Sequence, residues 1–163
     1  MPRCTALLPS VPVRARALSG FAAPFRGKKI PPSLFWGTFD MTTVLFSGKP
    51  CPFERTASIV ERVAFDEQFV EFGFWPGDDA TNDPSFFVLA YPFVEKGSSS
   101  DANVDEAFFD AESSEYFLRL KDALRYDDPQ AAVRRFCSST FARIMERQNW
   151  ERRDWFTEPL LNG

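Results

Sequence analysis

Two stretches on either side of a tight turn decide the fold: FDEQFVEFGFW (65–75) and FFVLAYPF (86–93). In the first stretch, apolar residues alternate with others, which is typical of a strand with one face in a core. The second is apolar at nearly every position, so it predicts a central strand that is covered on both faces. A Pro-Gly pair at 76–77 indicates that the chain turns between them.

A third apolar stretch, SLFWGTFDMTTVLF (33–46), precedes this pair. Its β-branched and aromatic residues predict one long strand. Alternation divides the side chains between a core face and a semi-polar face that suits solvent, a cleft or an interface. The predicted core face carries Phe35, Phe39, Met41 and Leu45, and the semi-polar face carries Trp36, Thr38, Asp40 and Thr42.

The C-terminal third of the chain predicts a short strand followed by a long helix. Residues 116–120 fit a fourth strand or a sheet edge. Residues 129–150 predict a helix because apolar residues recur at helical spacing, Pro129 suits the first helical position, and Asp127 or Asp128 can cap it. This order of elements predicts an α+β fold, with an antiparallel sheet of about four strands and one long C-terminal helix packed on a face.

The length of 163 residues fits one domain. We place that domain at 21–155, followed by a tail at 156–163. Residues 1–20 contain arginine, alanine and serine but no acid, a composition that predicts either a poorly ordered segment or an organelle transit segment. The predicted location is the cytoplasm, with import into an organelle as the alternative.

Composition excludes several classes of function. The chain has no histidine, which removes the Ser-His-Asp triad, the Cys-His nucleophile pair and the commonest transition-metal ligand. Its three cysteines are far apart and it has no glycine-rich nucleotide motif, so we expect no metal and no cofactor. Residues 40–163 hold 13 basic and 23 acidic residues, and this acidic body argues against a nucleic-acid partner. We expect no membrane span, since no apolar stretch approaches about 20 residues.

The best candidates for a ligand site lie on the semi-polar strand face and beside the turn. Trp36, Thr38 and Asp40 would combine an aromatic platform with a carboxylate, which could hold a small polar or cationic ligand. Trp75 and Tyr91 would line the mouth of such a pocket. The alternative is structural: Asp40 hydrogen-bonded to neighbouring backbone or to an arginine, and Trp75 covering the core.

Four segments carry a resemblance to a known family. They are GKKIPPSLFWGTFDMTTVLFSGKPCP (27–52), FGFWPGDD (72–79), SFFVLAYPF (85–93) and EYFLRLKDALRYDDPQAAVRRFCSSTF (115–141). In this order they resemble the motifs of an uncharacterised family, domain of unknown function 5996. The resemblance covers about 18–155 and is expected to match only the C-terminal half of a family whose members are about twice as long. It implies a fold and no activity.

Two functions stay open at this point. The first is a non-catalytic α+β binding or interaction domain, favoured by the missing histidine and the 16% aromatic content. The second is a small-molecule enzyme that uses carboxylates on the strand face of Trp36 and Asp40. The partner would be a small molecule or a protein, and a homo-oligomer with paired aromatic faces is compatible with either function.

Overall fold

A computed structural model of the chain describes residues 11–54, 56–77, 83–151 and 153. Its centre is a six-stranded antiparallel sheet in the order β1-β2-β3-β4-β6-β5. The strands are β1 (Lys29–Phe35), β2 (Asp40–Pro50), β3 (Glu67–Trp75), β4 (Ser85–Tyr91), β5 (Phe108–Asp110) and β6 (Glu115–Arg119). The α-helices are α1 (Val11–Ala22), α2 (Ile59–Ala64), α3 (Leu120–Ala123) and α4 (Pro129–Arg147), and a 3₁₀ turn spans Ser99–Asp101.

The α+β class, the antiparallel sheet and the C-terminal helix confirm the sequence-based prediction. The count of about four strands is too low, because β1 and β5 carry weak signals. β1 contains two adjacent prolines, which usually indicate a turn, yet it pairs as an edge strand with a register shift between Ile30 and Ser33. β5 is only three residues long, too short for alternation to show.

The prediction of one strand over 33–46 is wrong. The chain reverses at 36–39, where the Phe39 amide donates to the Phe35 carbonyl at 2.8 Å and Phe39 adopts a φ of 59°. Phe39 is therefore exposed at the hairpin tip and does not lie on a core face with Met41. Two apolar strands joined by a short apolar turn resemble one long strand, because alternation does not record a change of direction.

One face of the sheet forms the main core against α1 and α4. Leu18 and Phe21 of α1, Phe72 of β3, and Phe136 and Phe141 of α4 are all buried there. The N-cap of α4 is Asp128, whose side chain accepts from the Ala131 amide at 2.9 Å. Most of α1 falls within the 1–20 segment; residues 1–10 and the 156–163 tail lie outside the described residues.

A partly buried ion pair fixes the loop before β5 to the end of α4. Arg147 donates from both terminal nitrogens to the Asp101 carboxylate, at 2.6 and 3.0 Å. Oδ2 of Asp101 also accepts from the Tyr116 hydroxyl at 2.7 Å and from the Ser98 amide at 2.8 Å. Although burial alone would raise the pKa of Asp101, the hydrogen bonds from Arg147 and Tyr116 leave it below its usual range. This network holds β6 against the helix.

We expect Asp101→Asn to lower the free energy of unfolding by about 2 kcal/mol at pH 7, because charge-assisted hydrogen bonds are lost and Arg147 loses its partner. Because the pKa of Asp101 is lower in the folded protein than its ordinary value of 3.8, this carboxylate stabilises the fold fully above pH 3.8. The stabilisation is lost as the pH falls through the pKa of the folded protein. Urea unfolding at pH 7 and pH 3 measures both effects. Asp105→Asn, at an exposed acid in the same loop, is the control. Equal stability of the two variants at pH 7 would contradict the expectation.

Candidate functional site

The face of the sheet turned away from α1 and α4 is divided into two parts. One end is closed by a small apolar cluster built on Val44, Phe46 and Phe69. Phe53 and Tyr91 pack against that cluster with their rings stacked at 4.0 Å. The other end carries a cavity of about 430 Å³, which we call the acidic cavity.

The acidic cavity combines carboxylates with aromatic walls. Its acidic lining residues are Asp40, Glu71, Asp110 and Glu115. The remaining lining residues are Trp75, Phe87, Leu89, Phe117 and Ser113. In the part of the chain that the structure describes, the lining therefore contains four acids and no basic side chain. Concave sites of this size with apolar walls and a few convergent polar groups are typical of small-molecule binding.

Strand register explains how these side chains meet. Glu71 on β3 pairs with Leu89 on β4, Leu89 pairs with Glu115 on β6, and Glu115 pairs with Asp110 on β5. Paired residues point to the same face, so these four side chains form a row across the sheet. Neighbouring strands are about 4.8 Å apart, which places the Cα atoms of Glu71 and Glu115 about 10 Å apart with Leu89 between them.

Gly73 makes room for the floor of the acidic cavity. A Cβ atom at this position would lie 2.3 Å from Cζ of Phe87 and 2.7 Å from Cγ2 of Thr42. Such distances are far inside van der Waals contact. The Phe87 ring can therefore lie over the β3 backbone because residue 73 has no side chain.

Two acids of the cavity have strongly raised pKa values. Burial raises the pKa of Glu71 to about 7; the nearby Thr42 hydroxyl opposes this shift, and the charges of Asp40 and Glu115 add to it. Burial also raises the pKa of Glu115 to about 7, together with the charges of Asp110 and Asp40. Both pKa shifts have the same origin, because burial removes water from the two carboxylates and neighbouring carboxylates repel their charge.

The other two acids are less perturbed. The pKa of Asp40 is raised by burial, while a hydrogen bond from the Thr38 side chain opposes the shift. The pKa of Asp110 is lowered because Ser113 donates to it from its hydroxyl, at 2.7 Å, and from its amide, at 3.1 Å. Asp110 thus stays ionised when Glu71 and Glu115 are protonated.

Two buried oxygens at the Asp40 end have no partner. Oδ1 of Asp40 and Oγ1 of Thr42 are both buried and make no hydrogen bond of good geometry with the described part of the chain. Thr42 as a whole is 1% exposed and lies on the same face of β2 as Asp40. Buried polar atoms usually have partners, so this end of the cavity can accept hydrogen bonds from a ligand.

The acids do not form a metal site. Within the ranges that the structure describes, no three side chains of the types His, Cys, Asp and Glu are grouped so that they could hold a metal ion. The row geometry gives the reason, since Leu89 separates Glu71 from Glu115. The chemistry available here is therefore attraction of positive charge and proton exchange with the two carboxyls of raised pKa.

The structure separates the five residues proposed from the sequence. Asp40 and Trp75 line the acidic cavity, and Thr38 supports Asp40 from the hairpin turn. Trp36 is 77% exposed at the hairpin tip, with its ring 6.2 Å from that of Phe39. Tyr91 lies in the apolar cluster at the opposite end of the face and does not line the cavity. The prediction that Trp36 and Asp40 share one strand face is wrong, because the hairpin turn at 36–39 separates them.

Sequence reasoning missed Glu71, Asp110 and Glu115 as cavity residues. Glu71 carried a usable signal, because it is a charged residue within the otherwise apolar stretch FVEFGFW (69–75). Asp110 and Glu115 flank a tight turn between two short strands and look like ordinary surface acids. Only the pairing of β6 with β4 brings them beside Glu71.

The fold is α+β, and an acidic, aromatic-walled cavity lies on the face of the sheet turned away from α1 and α4. The chain belongs to a family of unknown function, DUF5996, whose model matches residues 8–156. The likeness therefore extends over nearly the whole chain, and its expected restriction to the C-terminal half of the family is not borne out. No curated protein and no solved structure matches the chain. In the part of the chain that the structure covers, no helix is both long and apolar enough to span a membrane.

Proposed function

We propose that this protein is a non-catalytic binding domain whose acidic cavity takes a small organic cation. The observation that carries the proposal is the lining, which among the described residues has four acids, three aromatic side chains and no basic side chain. Burial raises the pKa values of Glu71 and Glu115, and neighbouring carboxylates add to the rise; a bound cation would offset that repulsion. Trp75, Phe87 and Phe117 supply aromatic surface of the kind that attracts ammonium groups and covers an apolar tail.

The Asp40 end is the best position for the cationic group. An ammonium has three N–H donors, and Asp40 Oδ1 and Thr42 Oγ1, which lack partners among the described residues, are acceptors at this end. Glu71 adds a carboxylate beside Thr42, and Trp75 adds a ring. The apolar tail of the ligand would then lie along Phe87 and Leu89.

Titration of the protein with n-pentylammonium at pH 8, followed by NMR or calorimetry, tests the proposal. We expect saturable binding of n-pentylammonium and none of pentanoate, which has a similar length and the opposite charge. Glu71→Gln should weaken binding at least tenfold, because it removes a charge that is ionised at pH 8. Glu95→Gln changes the net charge equally at an exposed position outside the cavity and should have no effect.

Two results would contradict the binding proposal. Equal affinity for the amine and the carboxylate would show that charge does not govern recognition. Unchanged amine binding in Glu71→Gln would place any binding elsewhere on the protein.

The second candidate is a small-molecule enzyme that uses the same carboxylates. It is favoured by the pKa values of Glu71 and Glu115 near 7, since such groups exchange protons readily at neutral pH. Recovery of the bound amine unchanged after long incubation supports the binding domain. Conversion of the amine that is lost in Glu71→Gln but kept in Glu95→Gln supports the enzyme.

A further inference from the structure

We propose that the acidic cavity selects a linear dication, an alkane-α,ω-diamine, over a monoamine of the same length. The proposal rests on the proposed function and adds a second charge-binding position to it. It comes from the arrangement of the four acids in two groups with an apolar segment between them.

The first group is at the Asp40 end of the cavity. It consists of Asp40 and Glu71, with the buried Thr42 hydroxyl next to them. Asp40 Oδ1 and Thr42 Oγ1 lack partners among the described residues, and Thr42 is almost fully buried on this face of β2. These are unmet acceptors beside a carboxylate, which is what one ammonium group requires.

The second group is on the same face of the sheet, toward the β5 edge. Asp110 and Glu115 are directly paired across β5 and β6, so their side chains leave the same face next to each other. Ser113 donates to Oδ2 of Asp110 at 2.7 Å and holds this carboxylate in place. A monoamine bound at the first group leaves this second pair of like charges without a counter-ion.

The segment between the two groups is apolar. Leu89 stands between Glu71 and Glu115 in the same row, and the rings of Phe87 and Phe117 are paired in the adjacent row. The two glutamate Cα atoms are about 10 Å apart by strand spacing. A chain of four to six methylene groups with an ammonium at each end spans this distance and covers the apolar segment. A compact inorganic cation cannot contact both groups at once.

The test compares n-pentylammonium, the monocation N-acetyl-1,5-diaminopentane and 1,5-diaminopentane at pH 8, by calorimetry on the unmodified protein. We expect the diamine to bind at least tenfold more tightly than either monocation. Within the series from 1,3-diaminopropane to 1,8-diaminooctane, affinity should peak at four to six carbons, because shorter chains do not reach the second group.

Glu115→Gln separates the two positions. The variant should weaken diamine binding far more than n-pentylammonium binding, so that the diamine and monoamine affinities agree within about threefold. Glu71→Gln should weaken both ligands, and Glu95→Gln should change neither. A cooperative thermal melt of each variant confirms that it is folded.

The outcomes distinguish this inference from the proposed function. If the monoamine binds with the expected dependence on Glu71 but the diamine gains nothing, the dication proposal is wrong and the cation-binding proposal stands. The same conclusion follows if Glu115→Gln weakens both ligands equally. If no amine binds, both proposals fail.

Discussion

Replacement of Phe141 by alanine is expected to lower the free energy of unfolding by about 3–5 kcal/mol, the range for truncation of a buried aromatic ring. Phe141 is fully buried in α4. Its ring lies 5.4 Å from the rings of both Phe72 and Trp150, and 6.2 Å from that of Phe21. One side chain thus connects α4 to β3, to α1 and to the chain after the helix. Removing this ring leaves a cavity, because the separate elements around it cannot all move inward to fill the space.

Chemical denaturation with urea, followed by far-UV circular dichroism, measures this loss. Phe93→Ala is the matched control, since the same ring is removed at a position that is 56% exposed, and we expect a loss below about 1 kcal/mol. Phe141→Leu should fall between the two, because leucine refills part of the space. Equal losses in Phe141→Ala and Phe93→Ala would contradict the conclusion that the Phe141 ring connects α4 to β3 and α1.

The double variant Glu71→Gln/Glu115→Gln is expected to be more stable than the natural protein at pH 8, by about 2–4 kcal/mol, which is less than the two full pKa shifts would give because both residues are partly exposed and solvent screens their charges. Both carboxyls have a pKa of about 7 in the folded protein, against 4.5 for an unperturbed glutamate. Asp40 and Asp110 face the same cavity, and no basic side chain of the described ranges lines it. Glutamine keeps the shape of each side chain and removes the charge that burial and like charges disfavour.

The sign of the pH dependence follows from the raised pKa values. Between pH 4.5 and about 7 the unfolded chain has released these two protons while the folded protein retains them. Raising the pH through this window therefore favours unfolding, and the loss is complete above about pH 7. The two groups interact with each other, so they should titrate together over a broad range.

Unfolding free energies of the natural protein and the double variant, measured from pH 4.5 to pH 8, test this prediction. The difference should be near zero at the acidic end and largest at pH 8. Glu95→Gln carries a charge change at an exposed site and should follow the natural protein throughout. A double variant that is less stable at pH 8 would show that the two carboxylates stabilise the fold. A stabilised variant that no longer binds amines would show that the cavity retains its charges at the expense of stability.

Much of the fold could be predicted because its strands and final helix carry strong local patterns. The alternation in β3, the apolar β4, and the Asp128-Pro129 start of α4 each depend on neighbouring residues only. The prediction failed at the hairpin between β1 and β2 for the opposite reason. Its turn contains Trp36 and Phe39, which have strong strand preferences, and the direction of the chain depends on pairing between strands.

The candidate site was harder to predict than the fold. Asp40 and Trp75 could be proposed from local composition, and both line the cavity. Glu115 and Asp110 could not, because they reach the cavity only through the order of strands β4, β6 and β5. The raised pKa values depend on burial and on charges from several strands, so no single segment contains the information.

The two adjacent prolines of β1 affect whether this edge strand can pair with a strand of another molecule. An exposed outer strand offers its unpaired amide groups as a template on which another chain can add. Pro31 and Pro32 have no amide hydrogen, and the register shift beside them bends the strand out of line. At the opposite edge of the sheet, β5 has only three residues with which another strand could pair. Both edge strands of this aromatic-rich chain are thus poorly suited to pairing with further chains, which is the step that builds fibrils.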